Sequence, residues 1–385
     1  MSLRDKLQRD TVAAVDLRKA LFEHFGVIDN PFPSAGQPTG HPRLDDTAVD
    51  EKIVSAIRQF ERDHTTQVLV IEGTQGIGKT NLLNYYQLEL LDLYREDDTF
   101  YIIRYYPDPE PTFDAIVRRV FQELSQNNHL VSIGKALADL TQDEVEEVLE
   151  LARSYEVRIV LGKLRVAAGE GEVALAHVAE IAMEWLVGLR LLNRHRDSLG
   201  VQFRLDTVES KTQALRDVIF VSERLDLLKG IFLLLDELEK QDYSISKTPV
   251  LRYLSAIRAL IDALPKRLFL MLALTSEARR RYFEMLPAIA SRLENRLTLL
   301  ALRRKEEAVS LANFYEAKAK ERAKQNVDTR QWKAGRETLL TTEQVSTLFQ
   351  KALKDSADRG IEGVIHRDFL NRLRNEAEIR LSNVG

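Results

Sequence analysis

Residues 73–80 read Gly73-Thr74-Gln75-Gly76-Ile77-Gly78-Lys79-Thr80 and fit the pattern G-x-x-x-x-G-K-[ST] at every position. No other feature of the chain restricts its fold as tightly. The six residues before it, Gln67 to Glu72, form a short β-branched apolar run, which predicts a buried strand. Lys79 to Tyr94, after it, reads as a helix. A strand that turns through glycines into a helix uses positive φ angles, which glycine adopts without a Cβ clash. Such a turn points backbone N–H groups into a concavity at the positive end of a helix.

That concavity suits phosphate. Lys79 would reach the β- and γ-phosphates, and the Thr80 hydroxyl would ligate Mg²⁺. The expected ligands are therefore ATP and Mg²⁺, cradled by the eight residues from Gly73 to Thr80 in a P-loop. The bland alternative is a chance glycine turn; the complete pattern in a strand–helix context weighs against it.

The rest of the chain repeats the strand-then-helix rhythm. Residues 3–25 read as an amphipathic helix closing at Gly26, followed by a Pro- and Gly-rich loop from Asn30 to Pro42. Asp50 to Asp63 reads as a helix. Thr99 to Tyr106 is a second strand, and Thr112 to Ser125 a helix. Ile231–Leu235, Leu268–Leu274 and Leu297–Leu302 give three more strands, and only helical signals follow Arg303. The predicted fold class is α/β: five parallel strands with helices on both faces. The expected division is residues 1–125 as the N-terminal segment and first half of the core, 126–229 as a charged helical insertion, 230–302 as the second half, and 303–385 as a helical lid.

Composition removes some functions. The chain of 385 residues has no cysteine, which excludes disulfides, thiolate zinc sites and cysteine nucleophiles. Its seven histidines show no metal-ligand spacing. No apolar run approaches the roughly 20 residues a membrane span needs, and Met1 to Phe25 has no signal-peptide core, so a soluble cytoplasmic protein is expected. The net charge of −4 gives no global sign of nucleic-acid affinity. Arg279–Arg281, Arg303–Lys305 and Lys318–Lys324 could form a local track, but interleaved glutamates fit solvated helix faces better.

The strand Ile231–Leu235 ends in Asp236-Glu237, the Walker B pattern. Asp236 would hold Mg²⁺ through its water shell, and Glu237 would orient the attacking water. With the P-loop, this makes the chain resemble AAA+ ATPases over most of residues 26–385. The resemblance implies further sites. Thr275, or Ser276 after it, would be the γ-phosphate sensor after the fourth strand; a helix N-cap is the plainer reading, and both can hold together. Pro287 to Leu293 resembles the Ser-Arg-Cys motif of clamp-loader ATPases, with leucine in place of cysteine. It makes Arg292 the candidate finger reaching a neighbouring subunit, with Arg296 as the fallback. Gly363 to Leu370 resembles the start of the second sensor helix, which assigns Arg367. Phe25 to Pro33 resembles an entry segment near the adenine, where Val27 and Ile28 would line the pocket or form a structural clasp.

Trp185–Gly188, Leu199–Val201 and Gly230–Lys240 look like the ATP-binding proteins of bacterial phage-exclusion (BREX-type) systems, and more distantly like initiator and transposition-regulator ATPases. The implied activity is ATP hydrolysis coupled to oligomer assembly, as a ring or filament, or to remodelling of a protein–DNA complex. The implied partners are other copies of the chain, proteins of the same system, and DNA, with no membrane. The competing expectation is an assembly module that holds ATP with little hydrolysis and recruits partners through residues 126–229.

Overall fold

The computed structural model describes residues 17–34, 42–105, 113–236, 247–326 and 328–382. The chain divides into two compact units, one comprising residues 47–72 and 86–297, the other residues 1–46, 73–85 and 298–385.

The first unit is built on a five-stranded parallel sheet: β1 (Gln67–Glu72), β2 (Phe100–Tyr105), β3 (Gly230–Leu235), β4 (Leu268–Leu274) and β5 (Arg296–Thr298), in the spatial order β2-β3-β4-β1-β5. β4 therefore lies between the strand that feeds the glycine loop and the strand that ends in Asp236. Every residue of β3 and of β4 is buried. That is why both read as unbroken apolar runs: a central parallel strand is covered on both faces.

Alternation along the strands separates the two faces. Phe232 and Phe269 point to one side, where they meet Phe60 of the helix Thr47–Asp63 with ring centroids 5.3 and 5.6 Å away. Ile231, Leu233, Leu270 and Leu272 point to the other. There they join a continuous core with Ile133, Leu164, Trp185 and Leu215. Residues 126–229 thus contribute helices directly to the apolar core over the sheet. Each such buried Leu, Ile or Phe side chain contributes roughly 1.5–3 kcal/mol of transfer free energy. Gly230 opens β3 because an added Cβ would lie 2.6 Å from Phe60 Cζ and 3.2 Å from Phe100 Cε1.

The helices of residues 126–229 are also tied to the sheet by buried polar groups. The Tyr101 hydroxyl of β2 meets His129 Nδ1 at 2.8 Å, and His129 Nε2 meets Ser222 Oγ at 2.8 Å. Among these helices, Gln142–Glu150 begins with a capping box between Thr141 and Glu144, and Tyr155–Glu170 is capped by Ser154.

The second unit packs the helices Lys305–Gln325, Thr342–Asp358 and His366–Ser382 around Tyr315, Phe349 and Phe369. The helical stretch 17–25 ends at Gly26, whose φ is 71°. Asn30 Nδ2 donates to the Arg374 carbonyl at 3.0 Å, and Arg374 Nη1 to the Phe32 carbonyl at 2.7 Å, which fastens the entry segment to the last helix.

The largest differences from expectation lie at two boundaries. The fifth strand is not Leu297–Leu302 but Arg296–Thr298. Leu300 is exposed, and Leu302 instead exchanges hydrogen bonds of 2.9 and 2.8 Å with Val364 in an antiparallel bridge. The apolar run was real, but its far end serves the second unit rather than the sheet. The helix expected from Asp50 begins earlier, at Thr47. Residues 3–16, the end of the second strand at Tyr106 and the start of the helix at Thr112 lie outside the described residues.

Candidate functional site

The glycine loop has the conformation its sequence demands. Gly76 has φ 83° and Gly78 φ 111°, values that an L side chain rarely adopts. The helix Lys79–Leu93 starts immediately after. Lys79 is buried, and its Nζ reaches back across the loop to the carbonyls of Gly73 at 2.9 Å and Thr74 at 3.3 Å. Thr74 and Gln75 are exposed, Ile77 is buried, and Thr80 is half-buried on the first turn of the helix. A cationic side chain, a hydroxyl and two left-handed glycines at a helix start are a donor set that fits a triphosphate with its magnesium ion. No acidic residue falls within the loop itself.

The start of the helix His366–Ser382 lies against the same loop. The Arg367 backbone N–H donates to the Gly76 carbonyl at 3.1 Å. A Cβ added at Gly76 would sit 3.2 Å from both Arg367 Cβ and Ile365 Cγ2, and 3.4 Å from Arg367 Nε. Arg367, assigned from the sequence, is thus beside the loop, with its side chain exposed. Next to it, burial pushes the His366 imidazole down to about 4, against the opposing pull of Glu307 and Asp46.

Val27 is fully buried among Leu21, Phe25, Phe32 and the C-terminal helices of the second unit. Its side chain is a packing group of the second unit, and Ile28 beside it is half-buried.

In the first unit, the carboxyl ends of β1, β3 and β4 lie at one edge of the sheet, with Glu72 opposite Leu274 and Leu235 opposite Leu272. Asp236 follows β3 directly. Its Oδ2 accepts from Arg104 Nη2 of β2 at 2.7 Å. Glu72, the residue before the loop, is buried and pairs with Arg279 Nε at 3.0 Å and more loosely with Arg296 Nη1 at 3.8 Å. Neither Arg104 nor Glu72 was singled out from the sequence; a charged residue inside a strand that is otherwise apolar was the available signal.

Thr275 caps the helix Ser276–Met285, its hydroxyl accepting from the Ala278 N–H at 3.2 Å, while Ser276 is exposed. Arg292 is held within its own chain: Nε donates to Asp262 Oδ1 at 3.0 Å and Nη1 to Ser291 Oγ at 2.8 Å. Glu237 lies outside the described residues. Among the described residues, no cluster of three or more acidic or histidine side chains forms a self-contained metal site, and no helix is long and apolar enough to cross a membrane.

No protein-family model matches the chain, and no curated protein matches it. Among solved structures it is similar to the Aeropyrum pernix ORC2 protein in ADPNP–ADP complexes. Identity is 12%, the match covers 90% of this chain and 70% of that chain, and the TM-score is 0.42. A likeness this distant carries no conclusion about activity.

Proposed function

We propose that the chain is an AAA+ type ATPase that binds Mg²⁺-ATP in the loop from Gly73 to Thr80 and turns it over as an oligomer. The observation that carries this reading is the loop itself: positive φ at Gly76 and Gly78, with Lys79 folded over its carbonyls at a helix start. In this reading Lys79 compensates the phosphate charge. Thr80 and Asp236 hold the magnesium ion, which supplies charge neutralisation at the transferring phosphoryl group. Glu237 orients the attacking water, Thr275 and Arg367 sense the γ-phosphate, and Arg292 serves a neighbouring subunit. The output is assembly or remodelling of a protein–DNA complex. The resemblance to BREX-type proteins suggests anti-phage defence as its setting.

The test is nucleotide binding. Purified chain with magnesium is expected to bind a fluorescent ATP analogue, and Lys79→Ala to lose that affinity at least tenfold while keeping its thermal unfolding midpoint. Equal binding by both proteins would end the reading.

A second reading has an observation of its own. Arg292 is engaged by Asp262 of the same chain, as expected of a chain that holds ATP for assembly and hydrolyses it slowly. Negligible turnover together with ATP-dependent complex formation would select it, whereas fast steady turnover would remove it.

A further inference from the structure

One ion pair at the sheet edge has no role in the reading above. Arg104 Nη2 donates to Asp236 Oδ2 at 2.7 Å, and the two side chains are 3% and 1% exposed. Arg104 stands opposite Leu234 in the parallel β2–β3 ladder, and the Asp236 N–H donates to the Tyr105 carbonyl at 3.4 Å. The guanidinium therefore reaches the carboxylate from the adjoining strand, at the level where β3 ends.

Burying an arginine here costs free energy. Desolvation of a charge is only partly repaid by its partner, and an apolar side chain of similar size is often neutral or better for stability. On the same face of the sheet as Arg104, Leu234 opposite it and Phe232 two residues before Leu234 are fully buried and apolar, so the surroundings would accept such a residue. What the arginine adds is geometry. A fork of donors fixed on a strand restrains the rotamer of the carboxylate it binds. Carboxylates that serve metals are commonly held in this way by a hydrogen-bonding neighbour.

We propose that Arg104 is a positioning residue for magnesium: it holds the Asp236 carboxylate in one orientation, so that the metal meets an ordered partner. This rests on the reading of Asp236 as the magnesium carboxylate. Arg104 itself touches neither phosphate nor metal.

The experiment measures the affinity of a fluorescent, slowly hydrolysed ATP analogue as MgCl₂ is titrated, and again in EDTA. Arg104→Met is expected to need at least tenfold more magnesium for half of the metal-dependent gain in affinity, in keeping with the tenfold to hundredfold effects typical of such outer partners. Its affinity in EDTA should be unchanged. Arg104→Lys, which keeps the charge but not the fork, should fall between. The double variant Arg104→Met/Asp236→Asn should match Asp236→Asn alone, because the arginine acts only through the carboxylate.

Wild-type magnesium dependence in Arg104→Met, beside a defective Asp236→Asn, overturns the proposal alone. So does a double variant that binds nucleotide more weakly in EDTA than Asp236→Asn. Unchanged magnesium dependence in Asp236→Asn overturns the metal reading and this proposal with it. If Arg104→Met does not fold, the lysine variant decides: wild-type magnesium dependence there refutes the positioning role.

Discussion

The backbone N–H of Arg367 donates to the carbonyl of Gly76 at 3.1 Å, joining the start of the last helix to the middle of the glycine loop. The contact is made by main chain on both sides, so the side chain of Arg367 is not consumed by it. Replacing that side chain should leave the loop held and remove only what the guanidinium does. Arg367→Ala is expected to keep nucleotide affinity within a few fold and to lose turnover by roughly tenfold or more, the scale of one charge-stabilising group removed from phosphoryl transfer. Equal turnover in a steady-state phosphate-release assay would remove Arg367 from the site.

Gly76→Ala should do the opposite. Its φ of 83° disfavours any Cβ, and the added methyl would press on Arg367 Cβ and Ile365 Cγ2 at 3.2 Å. The left-handed conformation alone costs on the order of 1 kcal/mol. Loss of nucleotide binding is expected together with a lowered unfolding midpoint. A variant that binds normally would show that the loop tolerates a quite different path.

Gly230 provides a test of the fold away from the loop. A methyl group there would lie 2.6 Å from Phe60 Cζ, in an aromatic cluster where Phe60, Phe232 and Phe269 are packed edge to face or tilted. Overpacking of this kind typically costs 1–3 kcal/mol. Gly230→Ala is therefore expected to lower stability by about that amount in urea unfolding, with ATP binding retained. An unchanged midpoint would show that Phe60 can swing aside freely.

How much of this was readable in the chain follows from where each partner lies. β1, β3 and β4 were legible because burial on both faces leaves a continuous apolar run. The turn between β1 and the helix Lys79–Leu93 was legible because positive φ at Gly76 and Gly78 restricts residue type at fixed spacing. Arg104 was not, because its carboxylate is 132 positions away in sequence and only the parallel pairing of β2 with β3 brings them together. Val27 is open to two readings because an apolar residue in a core and one lining a pocket look alike in sequence; in the structure it is buried among residues of the second unit. β5 was overextended because Leu302 has the same apolar character whether it pairs in the sheet or with Val364.

Arg292 poses a question that mixing can answer. Its guanidinium is bonded to Asp262 and about a third of the side chain is exposed, so a reach into another subunit requires this pair to open. Arg292→Ala is expected to bind ATP as wild type does and to lose at least tenfold in turnover. Asp262→Asn, which weakens the restraint, should raise turnover at low protein concentration. Mixing Arg292→Ala with Glu237→Gln, each impaired alone, should restore part of the activity if arginine and glutamate act across one interface. No recovery at any ratio would assign Arg292 to its own chain.

The last expectation concerns acid. Ser222 has one hydroxyl proton and directs it to the Val218 carbonyl at 2.6 Å. His129 must then donate from Nε2 to Ser222 Oγ and accept at Nδ1 from the Tyr101 hydroxyl, which is the neutral ring. A second proton on Nδ1 would face a donor. Burial pushes the His129 imidazole down from 6.5 to about 4 and the Tyr101 hydroxyl up to about 12. The sign follows from linkage: the unfolded chain takes up the proton first as pH falls. The neutral ring's contribution is therefore complete above about pH 6.5 and is lost between there and about pH 4. The size is on the order of 3 kcal/mol over that window, at about 1.4 kcal/mol per pH unit. His129→Gln lacks the titrating ring, so its urea midpoint should fall less steeply across the same window than that of the wild type. Parallel curves for the two proteins would show that the Tyr101–His129–Ser222 bridge does not govern acid unfolding.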